Sequence, residues 1–373
     1  MTEFAKEISV KDAFLLLNGM GKLGPVSIRK LLLAYDNDPR EVLSSSRSSL
    51  LSVEGVGQVM VESILSIQNQ KWLTNEKKEL EKRGIDFITD EFYPKLLKEI
   101  YDPPIGLYLK GVIQQGPFVS IVGTRQPSLY GQRICQELAK GLAEVGFCIV
   151  SGMARGIDSI AHHSALAIGG KTMAFLGSGI DIVYPPENLK LYQEISEKGG
   201  VLSEFALGRK ADRRTFPMRN RLVSGISSAV IVIESASSGG SLITAQFAAE
   251  QGRLVFAVPG RVDQPASAGC NDLIRDGAIL VRKVEDVLEE LEGTILTGIN
   301  FSKEEGSQIP LPLNDFTKEE QAVYSVLQDG ACLSLEEIME KLNLSFPQLG
   351  STLSMMEING IIAKRTDGKF EIK

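Results

Sequence analysis

The sequence predicts an α/β protein built on a doubly wound parallel sheet, with a helical N-terminal domain and a C-terminal winged helix. Three features carry that prediction. Seven short apolar or β-branched runs recur between residues 119 and 287, separated by longer stretches of mostly helical periodicity. Residues 1–80 read differently, as paired helical patterns around glycine turns. The last 60 residues hold three helix-start signatures followed by a hairpin pattern. The expected division is 1–80, 81–293, a linker at 294–314, and 315–373.

In the N-terminal segment, helical runs at 11–17 and 26–33 flank Gly21-Lys22-Leu23-Gly24-Pro25. The layout repeats around Gly55-Val56-Gly57, followed by 59–67. Two helices joined by a G-x-G turn form the helix-hairpin-helix pattern, whose turn amides can hold a DNA phosphate. The flanking cations are few (Lys22, Arg29, Lys30), so a small helical bundle packed on the main domain is the competing reading.

The strand candidates are 119–123, 148–151, 172–176, 201–204, 229–234, 254–257 and 278–281. Each is too short for a helix, and short buried strands with helical crossovers make a parallel sheet covered on both faces. Right-handed crossovers then favour a doubly wound topology. Ligands of such sheets sit beyond the carboxyl ends of the strands, where helix N-termini present free N–H groups.

The loops at those ends are rich in small and polar residues. They read Gly123-Thr124-Arg125, then Ser151-Gly152-Met153-Ala154-Arg155-Gly156-Ile157-Asp158, then Gly177-Ser178-Gly179-Ile180-Asp181, and after the fifth strand Ser235-Ala236-Ser237-Ser238-Gly239-Gly240-Ser241. Glycine lets a backbone approach phosphate closely, and Ser and Thr add donors without bulk. The loop after the fourth strand is different. Residues 209–221 read RKADRRTFPMRNR, six cations and one acid in a chain whose net charge is −7. Basic charge concentrated in one loop of an acidic protein suits a local polyanion. A solvated basic turn paired with nearby acids is the alternative, but Phe216 and Pro217 among the arginines match a surface that stacks bases and grips phosphates.

After the linker, with its Ile309-Pro310-Leu311-Pro312, capping boxes begin at Thr317…Glu320, Ser334…Glu337 and Ser345…Gln348. Short strands at 361–364 and 369–372 join across Asp367-Gly368. Three helices and a hairpin make a winged helix. Its third helix, 346–358, contains no Lys or Arg and only Glu357 as a charge. That argues against sequence-specific duplex reading and for a protein-contact or weak accessory role.

Several function classes are excluded on composition. No apolar run approaches the ~20 residues of a membrane span, and residues 1–7 lack the layout of a signal peptide. The four cysteines (Cys135, Cys148, Cys270, Cys332) are scattered without metal spacing, and His162 and His163 are the only histidines. The expectation is a cytoplasmic protein with no metal, cofactor or membrane association. Gly169-Gly170-Lys171-Thr172 imitates the end of a P-loop, but it leads into a strand rather than out of one. Asp158 and Asp181 read either as metal-binding or general-base carboxylates or as helix-start charges and loop-ordering partners for Arg125 or Arg155; the second is favoured. No catalytic constellation emerges, so an enzyme is not expected.

An ordered set of motifs then becomes apparent. Tyr93-Pro94, Asp102-Pro103-Pro104 and Lys110-Gly111 precede Val122-Gly123-Thr124-Arg125. Ser151–Asp158 with Ala161-His162, Leu176–Asp181 with Tyr184-Pro185, Phe216-Pro217-Met218-Arg219-Asn220-Arg221 and Ser238–Ser241 follow. Over roughly residues 90–285 this set resembles the DNA-processing protein A family (DprA, also called Smf). The resemblance implies an extended Rossmann-like domain flanked by a SAM-like helical domain and a winged helix. It further implies sequence-independent binding and protection of single-stranded DNA in natural transformation, loading of the RecA recombinase, and a homodimer formed through the Rossmann-like domain.

The DNA-contacting set expected from residues and resemblance together is Gly123, Thr124, Arg125, Ser151, Gly152, Arg155, Ser178, Lys210, Arg213, Phe216, Arg219, Asn220, Gly239, Gly240 and Ser241. The Arg219-Asn220-Arg221 run begins a helix, and a structural role for one or both arginines, paired to acids beneath the loop, is the alternative. The rival is a phosphoribohydrolase-type enzyme, whose P-G-G-x-G-T-x-x-E pattern supplies a glutamate for glycosidic cleavage. Aligned on Gly239-Gly240, this chain has Leu242, Ile243 and Gln246 where that pattern has Gly, Thr and Glu. A neutral amide cannot replace the carboxylate's charge.

Overall fold

A computed structural model describes residues 2–66, 68–292, 316–327, 333–342, 344–358, 361–364 and 369–372. The chain forms two compact units, Met1–Ile299 and Asn300–Lys373.

The larger unit is organised by a nine-stranded sheet. Its strands are β1 (Asp86–Ile88), β2 (Leu107–Gly111), β3 (Phe118–Val122), β4 (Cys148–Ser151), β5 (Thr172–Leu176), β6 (Gly200–Ser203), β7 (Ala229–Val232), β8 (Leu254–Ala257) and β9 (Ile279–Leu280). Their order is β1-β2-β6-β5-β4-β3-β7-β8-β9. The seven strands expected from the sequence are all present and mutually parallel. Strands β3 to β7 are buried along their whole length. With helices on both faces, neither side of these strands needs polar residues, so they read as continuous apolar runs. Strands β1 and β2 extend the sheet by antiparallel pairing at one edge; the sequence reading missed both.

From β3 the chain winds outward through β4, β5 and β6, then returns to lay β7 along the other side of β3. The direction of winding therefore reverses between β3 and β7. At such a reversal the crossover helices diverge to opposite faces and leave a crevice beyond the strand ends.

Residues 1–80, read from the sequence as a separate domain, belong to the same compact unit as the sheet. Helices Val10–Gly19 and Pro25–Ala34 flank the first glycine turn, and Arg47–Leu51 and Gln58–Ile64 the second. Leu16, Leu31 and Leu73 share a core with Phe87, Tyr108 and Ile195. The buried Glu76 accepts hydrogen bonds from the Tyr108 hydroxyl and the Leu207 amide, both at 3.0 Å. Burial pushes its carboxyl above the ordinary value.

The smaller unit contains helices Lys318–Leu327, Leu335–Leu342 and Phe346–Ile358 and the hairpin β10 (Ile362–Lys364) with β11 (Phe370–Ile372). All three expected capping pairs form. Glu320 accepts from the Thr317 amide at 2.8 Å, Glu337 from Ser334 at 2.6 Å, and Gln348 from Ser345 at 3.3 Å. Val323, Ile338, Leu353, Ile362 and Phe370 make the core. The expected linker at 294–314 and the turn at Asp367-Gly368 lie outside the described residues.

Candidate functional site

A cleft of about 520 Å³ opens beyond the carboxyl ends of β3 and β7, where the winding reverses. Thr124, Arg125, Arg213, Phe216, Asn220, Gly240 and Ser241 are among its walls. A smaller recess, sharing Arg125 and Phe216 with the cleft, is lined by Arg155, Ser178 and Tyr184. The loops after five different strands thus meet on one rim.

Backbone bonds hold these loops together. The Thr124 amide donates to the Glu234 carbonyl at 2.7 Å, tying the loop after β3 to the end of β7. The buried Glu234 carboxylate accepts from the Ser128 amide at 2.9 Å, ordering the start of helix Leu129–Glu144. Gly156, at φ 74°, lets the next helix approach this loop closely: a β-carbon there would lie 2.4 Å from the Thr124 carbonyl oxygen.

The cations fall into three groups. Arg125, Lys210 and Arg213 are exposed, and none has a carboxylate partner among the described residues. The Arg125 guanidinium lies 5.4 Å from the centre of the Phe216 ring. Lys210 lines neither cavity, although its neighbour Ala211 lines the recess. Arg155 is exposed and bonded to Glu187. In the basic loop, Asp212 pairs with Arg209 and Arg214. It also accepts from the Arg214 and Thr215 amides at 2.8 and 3.1 Å, which holds the carboxyl below its ordinary value.

Arg219 and Arg221 are buried and serve the scaffold. Helix Thr215–Ile226 is enclosed on most of its surface, so its arginines turn inward. Arg221 reaches both oxygens of Glu204 at 2.6 Å and Asp102 at 3.0 Å. Arg219 donates to the carbonyls of Gly152 and Phe175, the latter at 2.8 Å, from beneath the cleft. Its Nε donates to the Asn220 side-chain oxygen at 2.9 Å, and both residues line the cleft.

Asp158 accepts from the Gly152 and Ala154 amides at 3.1 and 3.3 Å. Burial pushes its carboxyl up, opposed by the charge of Arg219. Asp158 is therefore a loop-ordering carboxylate, as favoured from the sequence, although its cationic neighbour is Arg219 rather than Arg125 or Arg155. Asp181 likewise orders a loop, accepting from the Gly208 amide at 2.9 Å.

Several expected donors are committed elsewhere. The Ser151 hydroxyl is buried and donates to the Ile121 carbonyl at 2.6 Å. Ser178 donates to Ile182 at 2.7 Å, and the Ser241 hydroxyl to Ser235 at 2.9 Å. The Gly152 amide serves Asp158. By contrast, the Gly240 and Ser241 amides, in the first turn of helix Gly240–Glu250, have no acceptor among the described residues. Both residues line the cleft beside Gly123 and Gly239. A helix start of this kind carries roughly half a positive charge.

The sequence reading passed over Tyr184 as a contact residue. Its ring centre lies 6.0 Å from that of Phe216 across the recess, and it remains 44% exposed. Its presence in the Tyr184-Pro185 motif was the available signal. His162 is buried and bonded to Thr172 at 2.6 Å, a packing role as expected. Gln246 is exposed and donates to Glu250 at 2.8 Å. No group of metal-ligating side chains occurs among the described residues, and no described helix is long and apolar enough to cross a membrane.

Residues 85–292 match the family model described as DNA recombination-mediator protein A. Protein Smf of Synechocystis is 38% identical over 281 residues, covering 72% of this chain and 69% of the relative. DNA processing protein DprA of Bacillus subtilis is 42% identical over 207 residues, covering 55% and 70%. Among solved structures, DprA from Streptococcus pneumoniae superposes with a TM-score of 0.65 at 35% identity, covering 76% of this chain and 98% of that one. DNA processing protein A from Helicobacter pylori, described in its single-stranded DNA binding mode, gives 0.52 at 32% identity, covering 56% and 96%.

Proposed function

Since the chain belongs to the DNA recombination-mediator protein A family, we propose that its cleft binds single-stranded DNA without sequence preference. The observation that carries this reading is the meeting, on one rim, of two exposed arginines without carboxylate partners among the described residues, Arg125 and Arg213, a neighbouring pair of aromatic rings and two free helix amides, with the exposed Lys210 close by in sequence. Arg125, Lys210 and Arg213 hold successive phosphates, and Arg155 adds a further contact. The Gly240 and Ser241 amides receive another phosphate at the helix start. Phe216 stacks a base, worth about 1–3 kcal/mol whatever its identity, and Tyr184 faces it across the recess. Gly123, Thr124, Gly152, Ser178, Arg219, Asn220 and Gly239 shape the wall; Ser151 supports it from within.

Stacking requires unpaired bases, so a duplex offers only its phosphates to the same rim. With ~4 phosphates neutralised, log affinity should fall against log salt with a slope of roughly −3. A salt titration of fluorescent oligo-dT binding tests the reading, with blunt duplex and mixed-sequence strand as comparisons. Salt-insensitive binding, or strong preference for one base sequence, refutes it.

From the same family membership we infer protection of incoming strands during transformation and delivery of RecA to them by a homodimer. RecA nucleation on a strand already coated by this protein tests that part. The three helices and hairpin of the smaller unit read as a winged helix. Because helix Phe346–Ile358 carries no Lys or Arg, we assign that module to protein contacts rather than duplex reading.

A further inference from the structure

Three exposed arginines line the cleft and its recess: Arg125, Arg155 and Arg213. Of these, Arg155 is the one with a carboxylate partner among the described residues. Its Nε donates to Glu187, and the two side chains are 52% and 51% exposed. Glu187 reaches it from the short helix Pro186–Asn188, directly after the Tyr184-Pro185 wall of the recess.

The pair is not needed to hold either loop. The Asn188 side-chain amide donates to the Met153 carbonyl and the Ser159 hydroxyl, each at 2.9 Å, and so ties the same two loops together. The Tyr192 hydroxyl bonds the Ile180 carbonyl at 2.9 Å and secures the other end of the segment. On the Arg155 side, Asp158 holds the Ala154 amide. What Glu187 adds is a negative charge on a cation that the strand needs. An exposed ion pair is weak, whereas a strand brings several linked phosphates and releases their counterions.

We propose that Glu187 is an anionic stand-in for phosphate, holding Arg155 until a strand displaces it and thereby setting the affinity threshold of the cleft. The inference rests on the strand-binding reading above. A single phosphate must break the pair unaided, while a strand anchored at Arg125 and Arg213 delivers its next phosphate at high local concentration. Glu187 therefore favours strands over isolated nucleotides.

The test is a double-mutant cycle in the full chain, read by fluorescent oligo-dT binding at low salt. Glu187→Gln keeps the side-chain shape and should bind about 2–5-fold tighter than the natural protein, the size expected for releasing an exposed ion pair. In an Arg155→Ala background the same substitution should leave affinity unchanged. Equal tightening in both backgrounds overturns the proposal, because the carboxylate would then act only through its general field. No tightening in either background also overturns it, and leaves the strand-binding reading intact as long as the natural protein binds. Failure of the natural protein to bind oligo-dT removes both.

Discussion

Phe216→Ala and Arg125→Ala remove neighbouring groups from one site, yet they should fail in different ways. Phe216 contributes a ring face and no charge, so its loss costs about 1–3 kcal/mol of stacking, roughly 5- to 150-fold in affinity. Arg125 contributes a charge, so its loss removes one phosphate contact and flattens the salt slope by about 0.7 for a single strand. Plotted as log affinity against log salt, the Phe216→Ala line should run parallel to that of the natural protein. The Arg125→Ala line should converge on it, closing about fivefold of its deficit per tenfold rise in salt. The assay is fluorescence anisotropy of labelled oligo-dT at four or five salt concentrations, with circular dichroism to confirm folding. Parallel lines for Arg125→Ala, or converging ones for Phe216→Ala, would refute the division of labour.

Three further outcomes concern the scaffold. Gly152→Ala puts a methyl group 1.9 Å from the Arg219 guanidinium, which must leave its two carbonyls, so urea unfolding should show a loss of about 3 kcal/mol or more; an unchanged midpoint would mean that Arg219 is not fixed there. Arg221→Met strands the buried Glu204 without its partner and should cost about 3–5 kcal/mol, with Arg221→Met/Glu204→Leu recovering much of it. His162, whose imidazole is held down to about 3 by burial, stays neutral in the fold while the unfolded chain takes up a proton below about pH 6.5. Its contribution is thus complete above pH 6.5 and is lost on acidification through that window. Between pH 7 and 5 the loss should be about 2 kcal/mol smaller in His162→Asn, and matching urea series at the two pH values check it.

How much was legible depended on whether a residue's fate is set locally. The seven parallel strands could be read because burial on both faces leaves an uninterrupted apolar run. β1 and β2 could not: one spans Asp86–Ile88 only, and the other sits at an antiparallel edge beside a Pro-rich turn. The glycine loops were recognisable for the same local reason. The basic segment was not separable into its parts, because composition does not reveal which arginines enter an enclosed helix. Arg219 and Arg221 do so, whereas Lys210 and Arg213 precede it and stay outside. Tyr184 escaped as a contact because its partnership with Phe216 spans two separate crossovers. The hydroxyls of Ser151, Ser178 and Ser241 looked available until their backbone and side-chain acceptors were known.

The rim draws its residues from five crossovers, each anchored at a different strand. An occupied cleft therefore acts as a clasp across the middle of the large unit: a ligand that grips Arg125, Phe216 and the Gly240 amides at once can do so only when β3, β6 and β7 are all in place. Occupancy at a hundred times the dissociation constant would add about 2.7 kcal/mol to the stability of that unit. Because the gain belongs to the complete sheet, occupancy selects the fully assembled unit over any state in which one of those strands is loose.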